Sequence, residues 1–480
     1  MKKWITAFCF SFVALFTASL HAQSLPAVFI ESLRQANVPA GATAVYVQEV
    51  AAPGETVTPL INWQSENPMQ PASTMKLVTS YAALNLLGPA YTWKTSVYRT
   101  GQLNDDVLDG DLIIQGGGDP HLVLENFWTL LRQVRAEGIR VIRGNLIIDS
   151  SWMEPQDFDA ADFDGDPTRP YNVGPDGLLV NYNVLNLQLH QDASGLRMLN
   201  LTPLAMQSSV DVLYVNGPCE GWRAKLTPTF TFINQQINLN LTGTYPRSCG
   251  DKTWSLQPYP LSHQDYVGSL FRSLWQELGG QFSGQLSGQL QDGTVPVPAT
   301  LVTTFQSEQL SDVLRSMNKY SNNVMTRLVM LTLDKEATQL PANPVRASQL
   351  VQQWFARLGI DAAGLQMENG SGLSRNERIS PFQMGRMLNH AYASPVMPEL
   401  MSSLPVLGVD GTMGKRAINR TVAGHAHLKS GSLEGVHNFA GYVLAASGKR
   451  YVVVCFVNHK NAQQTDAAQD QLLQWIYDHG

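Results

Sequence analysis

Ser73-Thr-Met-Lys76 sets a hydroxyl and an amine three residues apart. On a helix both side chains project from one face within a single turn. The pair suits acyl transfer, with the serine as nucleophile and the lysine as its base. A lysine accepts a proton near neutral pH only if its ammonium form is disfavoured, by removal from water or by a neighbouring cation. A helix N-terminus at the same place adds backbone N–H groups aimed at developing negative charge. The spacing alone is not specific, because Ser316-Met-Asn-Lys319 repeats it. Context separates the two. Ser73 follows Pro71-Ala72 at a helix start with an apolar continuation, whereas Ser316 lies inside a polar helical run.

Two further elements follow in order: Ser321-Asn322-Asn323, 248 residues after Ser73, and Lys429-Ser430-Gly431. S-x-N is common, and Ser65-Glu-Asn67 and Ser374-Arg-Asn376 also match; Lys-Ser-Gly occurs once. It ends a predicted strand, where glycine lets a substrate backbone approach closely. The ordered set S-x-x-K, S-x-N and K-T-G marks penicillin-binding proteins and class A β-lactamases.

With Pro71-Ala-Ser-Thr-Met-Lys76, Gly116-Gly-Gly-Asp-Pro120, Asn181-Tyr-Asn183, Gly370-Ser-Gly-Leu-Ser-Arg375 and His427-Leu-Lys-Ser-Gly-Ser-Leu433, the chain resembles the serine penicillin-recognising family. It is most similar to the class C penicillin-binding proteins, the D-alanyl-D-alanine carboxypeptidase/endopeptidases of peptidase family S13. The resemblance spans essentially the mature chain, and the 248-residue separation resembles that family's large insertion. Two departures stand out: Lys-Ser-Gly replaces Lys-Thr-Gly, and Asn369-Gly-Ser-Gly372 replaces Asp-Gly-Ser-Gly. Ser430 keeps the hydroxyl, so activity is expected to survive; Asn369 is given no role.

The resemblance implies roles. Ser73 attacks the carbonyl between two D-alanines and Lys76 takes its proton. Ser321 relays a proton to the leaving amine. Asn323 bonds the acylated residue's amide and holds Lys76. Lys429 and Ser430 bind the terminal carboxylate, Gly431 allows close approach, and the backbone N–H groups of Ser73 and Ser432 form an oxyanion hole. β-Lactams acylate the same serine. A cross-linked stem peptide presents a zwitterionic diaminopimelate end, for which Arg375 and Asp166 are the candidate partners. No metal or cofactor is required. The rival readings are a β-lactamase or esterase on the same fold, whose deacylating glutamate in an E-x-x-x-N arrangement is not expected here, and an inactive wall-binding scaffold.

The elements that must position these residues form an α+β fold. Helices are expected at 24–37, from Ser73 to Gly88-Pro89, and at 309–333, 345–358, 381–392 and 466–477. Strands are expected at 43–50, 426–429, 440–446 and 451–458. The N-terminal strand should join the C-terminal hairpins in one antiparallel sheet flanked by helices. Residues 23–94 and 301–480 then form a discontinuous catalytic domain. Residues 95–300 form a mainly β insertion, with a sub-insertion around 119–177.

Composition sets the boundaries. The 480 residues, 44% hydrophobic and 15% charged, describe a globular protein of about three domains. A net charge of -6 argues against nucleic acid as a partner. Lys2-Lys3, the apolar run Trp4 to Leu20 and His21-Ala22 read as a secretory signal cleaved near residue 22, which predicts a periplasmic protein. Without Lys2 and Lys3 the mature chain carries 31 basic and 39 acidic side chains, a net of -8. In an oxidising compartment Cys219 and Cys249 are the natural disulfide pair, and Cys455 reads as a core thiol. The Gly116 loop reads as a turn with a helix cap. The Asp162–Asp166 stretch reads as an acidic loop without metal, and His425 and His427 as strand residues. A homodimer, or a weak association with membrane or a wall-synthesis complex, is left open.

Overall fold

The computed structural model describes residues 24–480, apart from 53, 54, 56, 193, 194, 234, 235, 260 and 288–297. The expected signal at 1–22, with Cys9, lies outside the described residues. A five-stranded antiparallel sheet organises the half that carries the motifs. Its order is Ala426–Leu433, Val436–Leu444, Arg450–Val457, Thr43–Glu49 and Ile61–Trp63, so the first strand of the chain pairs with the last.

Helices cover both faces of this sheet, which is why Tyr451-Val-Val-Val-Cys-Phe-Val457 is apolar at every position rather than at alternate ones. Val45, Val47, Val453 and Cys455 pack toward the terminal helices Ala27–Gln35 and Asp466–His479. Tyr46, Val452, Val454 and Phe456 pack toward the helical layer, with Met384, Leu388 and Trp354. Cys455 is a buried free thiol, pushed up by burial.

The segment expected as one helix over 309–333 is two, Leu310–Lys319 and Asn323–Thr338. Asn322 breaks it: its side chain accepts the Met325 N–H and caps the second helix, while Ser321 takes a φ of 58°. The break presents the second motif.

The inserted region has its own core, centred on Phe127, Leu187, Leu239, Phe271 and Trp275. Two three-stranded sheets at 185–256 carry the Cys219–Cys249 disulfide close by. Two features differ from the sequence reading. His263–Glu277 is a helix inside the strand-rich stretch, packed on the mixed sheets beside the expected helix Leu124–Ala136, and Leu112–Gln115 pairs in parallel with Leu146–Asp149 across the latter. This pairing and the buried face of Leu124–Ala136 join the segment 112–149 to the insertion's core. Likewise Thr300–Gln306 pairs with Lys94–Arg99 in the inserted sheet, which moves the return to the motif-bearing half to about residue 307.

Candidate active site

Ser73 sits on a single 3-10 turn, Ala72–Met75, that leads into the helix Lys76–Leu87. Ala72 has a φ of 47°, in the left-handed region, which costs an alanine roughly 1–3 kcal/mol. Surrounding backbone enforces it. A Cβ on Gly372 would collide with the Ala72 carbonyl, and one on Gly431 would lie 2.7 Å from the Pro71 carbonyl oxygen and 3.0 Å from the Ser73 nitrogen. These two glycines let a loop and a strand close on the nucleophile's own backbone.

Lys76 is fully buried, and its Nζ has three neighbours: Ser73 Oγ at 3.0 Å, Asn323 Oδ1 at 2.6 Å and the Ser371 carbonyl at 2.5 Å. The last two can only accept hydrogen bonds. In a neutral amine they take both N–H hydrogens, and the lone pair is left facing Ser73. Burial holds Lys76 well below the ordinary lysine range, assisted by the ammonium of Lys429 and more weakly by Arg327, against an upward pull from Glu377.

Lys429 Nζ donates to Ser321 Oγ at 2.9 Å and to the Ser430 carbonyl at 2.9 Å, and burial pushes it down to about 7. Strand pairing with Val436–Leu444 fixes Ser430, Gly431 and Ser432 in sequence beside the nucleophile's turn. The Ser430 hydroxyl meets Thr412 Oγ1 at 2.7 Å. The structure thus brings together Ser73, Lys76, Ser321, Asn323, Lys429, Ser430, Gly431 and Ser432.

The loop that supplies the Ser371 carbonyl is tied by residues the sequence reading left out. Glu377, fully buried, accepts the N–H groups of Glu368, Asn369 and Gly370 at 3.1, 3.1 and 2.9 Å. Burial pushes its carboxyl up, opposed by those N–H groups and by Lys76. Asn369 accepts from Ser371 N and Oγ at 2.9 and 2.6 Å, while its Nδ2 donates to the Leu373 carbonyl at 2.9 Å. That last bond needs an amide, which accounts physically for asparagine at this position. Arg327 donates to the Val173 carbonyl at 2.6 Å, and burial pulls it down to about 10 against the pull of Glu377. No spacing rule points to Arg327, whose partner Val173 arrives from a distant segment, or to Glu377, whose partners are backbone N–H groups of its own loop.

Arg375 and Asp166 are not in contact with one another in the hydrogen bonds and ion pairs found. Arg375 lies over the Phe163 ring at 4.8 Å and reaches the Glu434 carbonyl at 3.4 Å, so the acidic loop does come to this rim. Asp166 accepts from Thr168 Oγ1 and Arg169 Nε at 2.6 Å each. Asp164 accepts from Tyr171 and Asn172. No group of three or more His, Cys, Asp or Glu suited to a metal occurs among the described residues.

The competing matches resolve elsewhere. Lys319 pairs with Asp410 at 2.6 Å rather than with Ser316, and Ser374 with Asn376 folds around Glu368. His427 meets the Met401 carbonyl, and His425 lies against Tyr477. Asp119 accepts from His121 N within its turn and does not cap the helix at 124, which has no side-chain cap. The chain does hold one Glu-x-x-x-Asn match, Glu434 to Asn438, contrary to the sequence reading. Glu434 is an exposed turn residue, and the Asn438 amide donates to the Gln70 carbonyl, so the pair does not recreate a deacylating site.

The family model for the D-Ala-D-Ala carboxypeptidase 3 (S13) family matches residues 29–478. The chain belongs to the S13 family. It is a serine-type D-Ala-D-Ala carboxypeptidase with the penicillin-recognising fold and a large insertion. It is 24% identical to the D-alanyl-D-alanine carboxypeptidase DacB of Haemophilus influenzae, over 81% of this chain and 80% of that one. It is 26% identical to the D-alanyl-D-alanine carboxypeptidase of an Actinomadura species, over 79% and 71%. The crystal structure of the Haemophilus penicillin-binding protein 4 superposes with a TM-score of 0.76 at 23% identity, covering 94% of this chain and 99% of that one. The same protein solved with a β-lactam gives a TM-score of 0.70 at 22% identity, covering 91% and 95%. Among the described residues of this S13 enzyme, no helix is long and apolar enough to cross a membrane.

Proposed function

We propose that the enzyme hydrolyses both the D-Ala-D-Ala ends of peptidoglycan stem peptides and the D-alanyl-diaminopimelate cross-links, through an acyl-enzyme on Ser73. The carrying observation is the set of neighbours around Lys76, two obligate acceptors and one serine hydroxyl. Neutral Lys76 takes the Ser73 proton as Oγ attacks the carbonyl carbon. The negative charge moves onto the carbonyl oxygen, facing the backbone N–H groups of Ser73 and Ser432; one such donor is worth roughly 2.7–4 kcal/mol. As the C–N bond breaks, Ser321, hydrogen-bonded to Lys429, passes a proton to the leaving amine. Lys429 and Ser430 hold the substrate's carboxylate, and Asn323 holds Lys76 and the acyl residue's amide. Water then cleaves the ester. A β-lactam enters by the same attack, and its ring-opened ester stays on Ser73.

Arg375 and Asp166 face the zwitterionic diaminopimelate end in this reading. Its support is the stacking of Phe163, from the same loop as Asp166, on Arg375. Unchanged activity of Arg375→Ala on diaminopimelate peptides would overturn that assignment. The enzyme works in the periplasm after loss of residues 1–22, with residues 23–93 and 307–480 as the catalytic unit and the segment between them as the insertion. Mass spectrometry of the protein with a penicillin, followed by digestion of cross-linked peptidoglycan, tests the whole. A slowly released adduct on Ser73 with loss of D-alanine and of cross-links is expected. Rapid penicillin turnover without peptide cleavage means a β-lactamase. Unimpaired cellular function of Ser73→Ala means a scaffold.

A further inference from the structure

Ser432, His437 and Asp466 stand in a hydrogen-bonded row at the edge of the site. Ser432 Oγ lies 2.9 Å from His437 Nδ1, and His437 Nε2 lies 2.8 Å from Asp466 Oδ1. Arg416 anchors the far end, with Nη1 2.6 Å from Asp466 Oδ1 and Nη2 2.7 Å from Asp470 Oδ1. His437 is buried and lies opposite Ser432 across the hairpin, while Ser432 is exposed. The charged groups around the ring are Asp466 and Asp470 on the terminal helix and Arg416 on the loop before the 426–433 strand.

The row fixes the direction of each proton. The His437 bond and Arg416 hold the Asp466 carboxyl below the usual range, so it is an acceptor and His437 Nε2 carries a hydrogen. In the neutral ring Nδ1 is then the acceptor, and the Ser432 hydroxyl must donate inward to it. A second proton on the ring reverses this bond. Nδ1–H then donates to Ser432 Oγ, and the hydroxyl hydrogen is free to turn outward.

We propose that His437 is a positioning residue that sets whether Ser432 offers its hydroxyl hydrogen to the substrate's carboxylate. The ring itself touches no substrate. Because the carboxylate gains a donor only when His437 is charged, carboxylate binding and ring protonation reinforce one another. The enzyme thus binds acid-terminated peptides more tightly in the state in which His437 carries its second proton. This rests on the proposed function, which puts the substrate carboxylate at Lys429 and Ser430, and it extends that carboxylate's contacts to the Ser432 hydroxyl two residues along the strand.

The test compares KM for a D-Ala-D-Ala peptide and its C-terminal amide from about pH 5 to about pH 8. It uses the full mature enzyme and its Ser432→Ala, His437→Phe and double variants, with His437→Asn as the conservative change and thermal melting as the check on folding. An added bond to a charged acceptor predicts that the amide-to-acid KM ratio gains about tenfold at low pH in the wild type. Each single variant should lose that gain, the double variant should lose no more, and His437→Asn, whose amide can donate at the Nδ1 position, should keep a ratio that no longer varies through the ring. Lys429 titrates beside the same carboxylate, and its contribution persists in all variants. Equal KM for acid and amide at every pH in the wild type would overturn the carboxylate assignment itself. A normal ratio whose pH dependence survives in His437→Phe, or additive losses in the double variant, would overturn the coupling alone.

Discussion

Replacing Gly431 by alanine tests whether close approach of the 426–433 strand to the nucleophile's turn is what makes this site work. Gly431 is absent from the residues with positive φ, so an alanine can adopt its backbone conformation, and the pairing with Asn438 can remain. The added methyl is the whole perturbation. It would sit 2.7 Å from the Pro71 carbonyl oxygen, where ordinary contact begins at 3.4 Å, a deficit of 0.7 Å, and 3.0 Å from the nitrogens of Ser73 and Thr74. Strand and turn must separate by most of that deficit. The two proposed oxyanion donors, the Ser73 and Ser432 N–H groups, lie on opposite sides of the gap, so both cannot keep their aim. A misplacement of about 1 Å costs on the order of 100-fold, so roughly 0.7 Å should cost about 30-fold in kcat/KM, or ~2 kcal/mol of transition-state stabilisation. Overpacking should also lower stability by roughly 1–3 kcal/mol. The assay is kcat/KM on a D-Ala-D-Ala peptide together with the penicillin acylation rate, with thermal melting to confirm folding. A folded Gly431→Ala enzyme within about twofold of wild type in both would refute the argument, because the donors would not depend on that contact.

Further outcomes follow from the charges and cross-links. The Lys429 ammonium holds Lys76 down, so removing it in Lys429→Gln should raise the Lys76 value and move the acid limb of residual penicillin acylation to higher pH. In the wild type, loss of the Lys429 charge above about 7 should raise KM for acid-terminated peptides, read as a KM increase on the alkaline side. The Cys219–Cys249 bridge spans 30 residues within the insertion, so its paired serine variant should lose about 3–4 kcal/mol of stability in denaturant titration while penicillin acylation is unchanged. Glu434 Oε2 lies 3.9 Å from the Arg375 guanidinium on an exposed turn. Glu434→Gln should lower KM for diaminopimelate-ended peptides by up to about threefold, the scale of an exposed charge contact.

Much of the fold was legible because its signals are local. The period-2 and all-apolar strands, Gly88 ending the nucleophile helix and Pro381 beginning another report backbone preferences that act within a few residues. The errors fell where local signals compete. The run from 309 to 333 is helical in composition, and the break at Ser321 depends on one cap by Asn322 and one left-handed residue. The helix His263–Glu277 was missed inside a strand-rich stretch, although Ser262 caps it and Tyr266, Leu270 and Leu274 repeat on its buried face.

The sequence by itself determined the chemical types: one serine with a lysine a turn away, an S-x-N and a Lys-Ser-Gly in order, and a disulfide pair. Only the tertiary structure decided what those groups are worth. In the proposed mechanism Lys76 can serve as a base because Asn323, Ser371 and Lys429 arrive from segments roughly 250 to 350 residues away and because burial disfavours its charge. Lys319, at the same spacing from a serine, is paired with Asp410 instead. Arg327 gains its partner, the Val173 carbonyl, only when a segment 154 residues away closes on it. Desolvation and close approach belong to the folded chain, and residue spacing does not encode them.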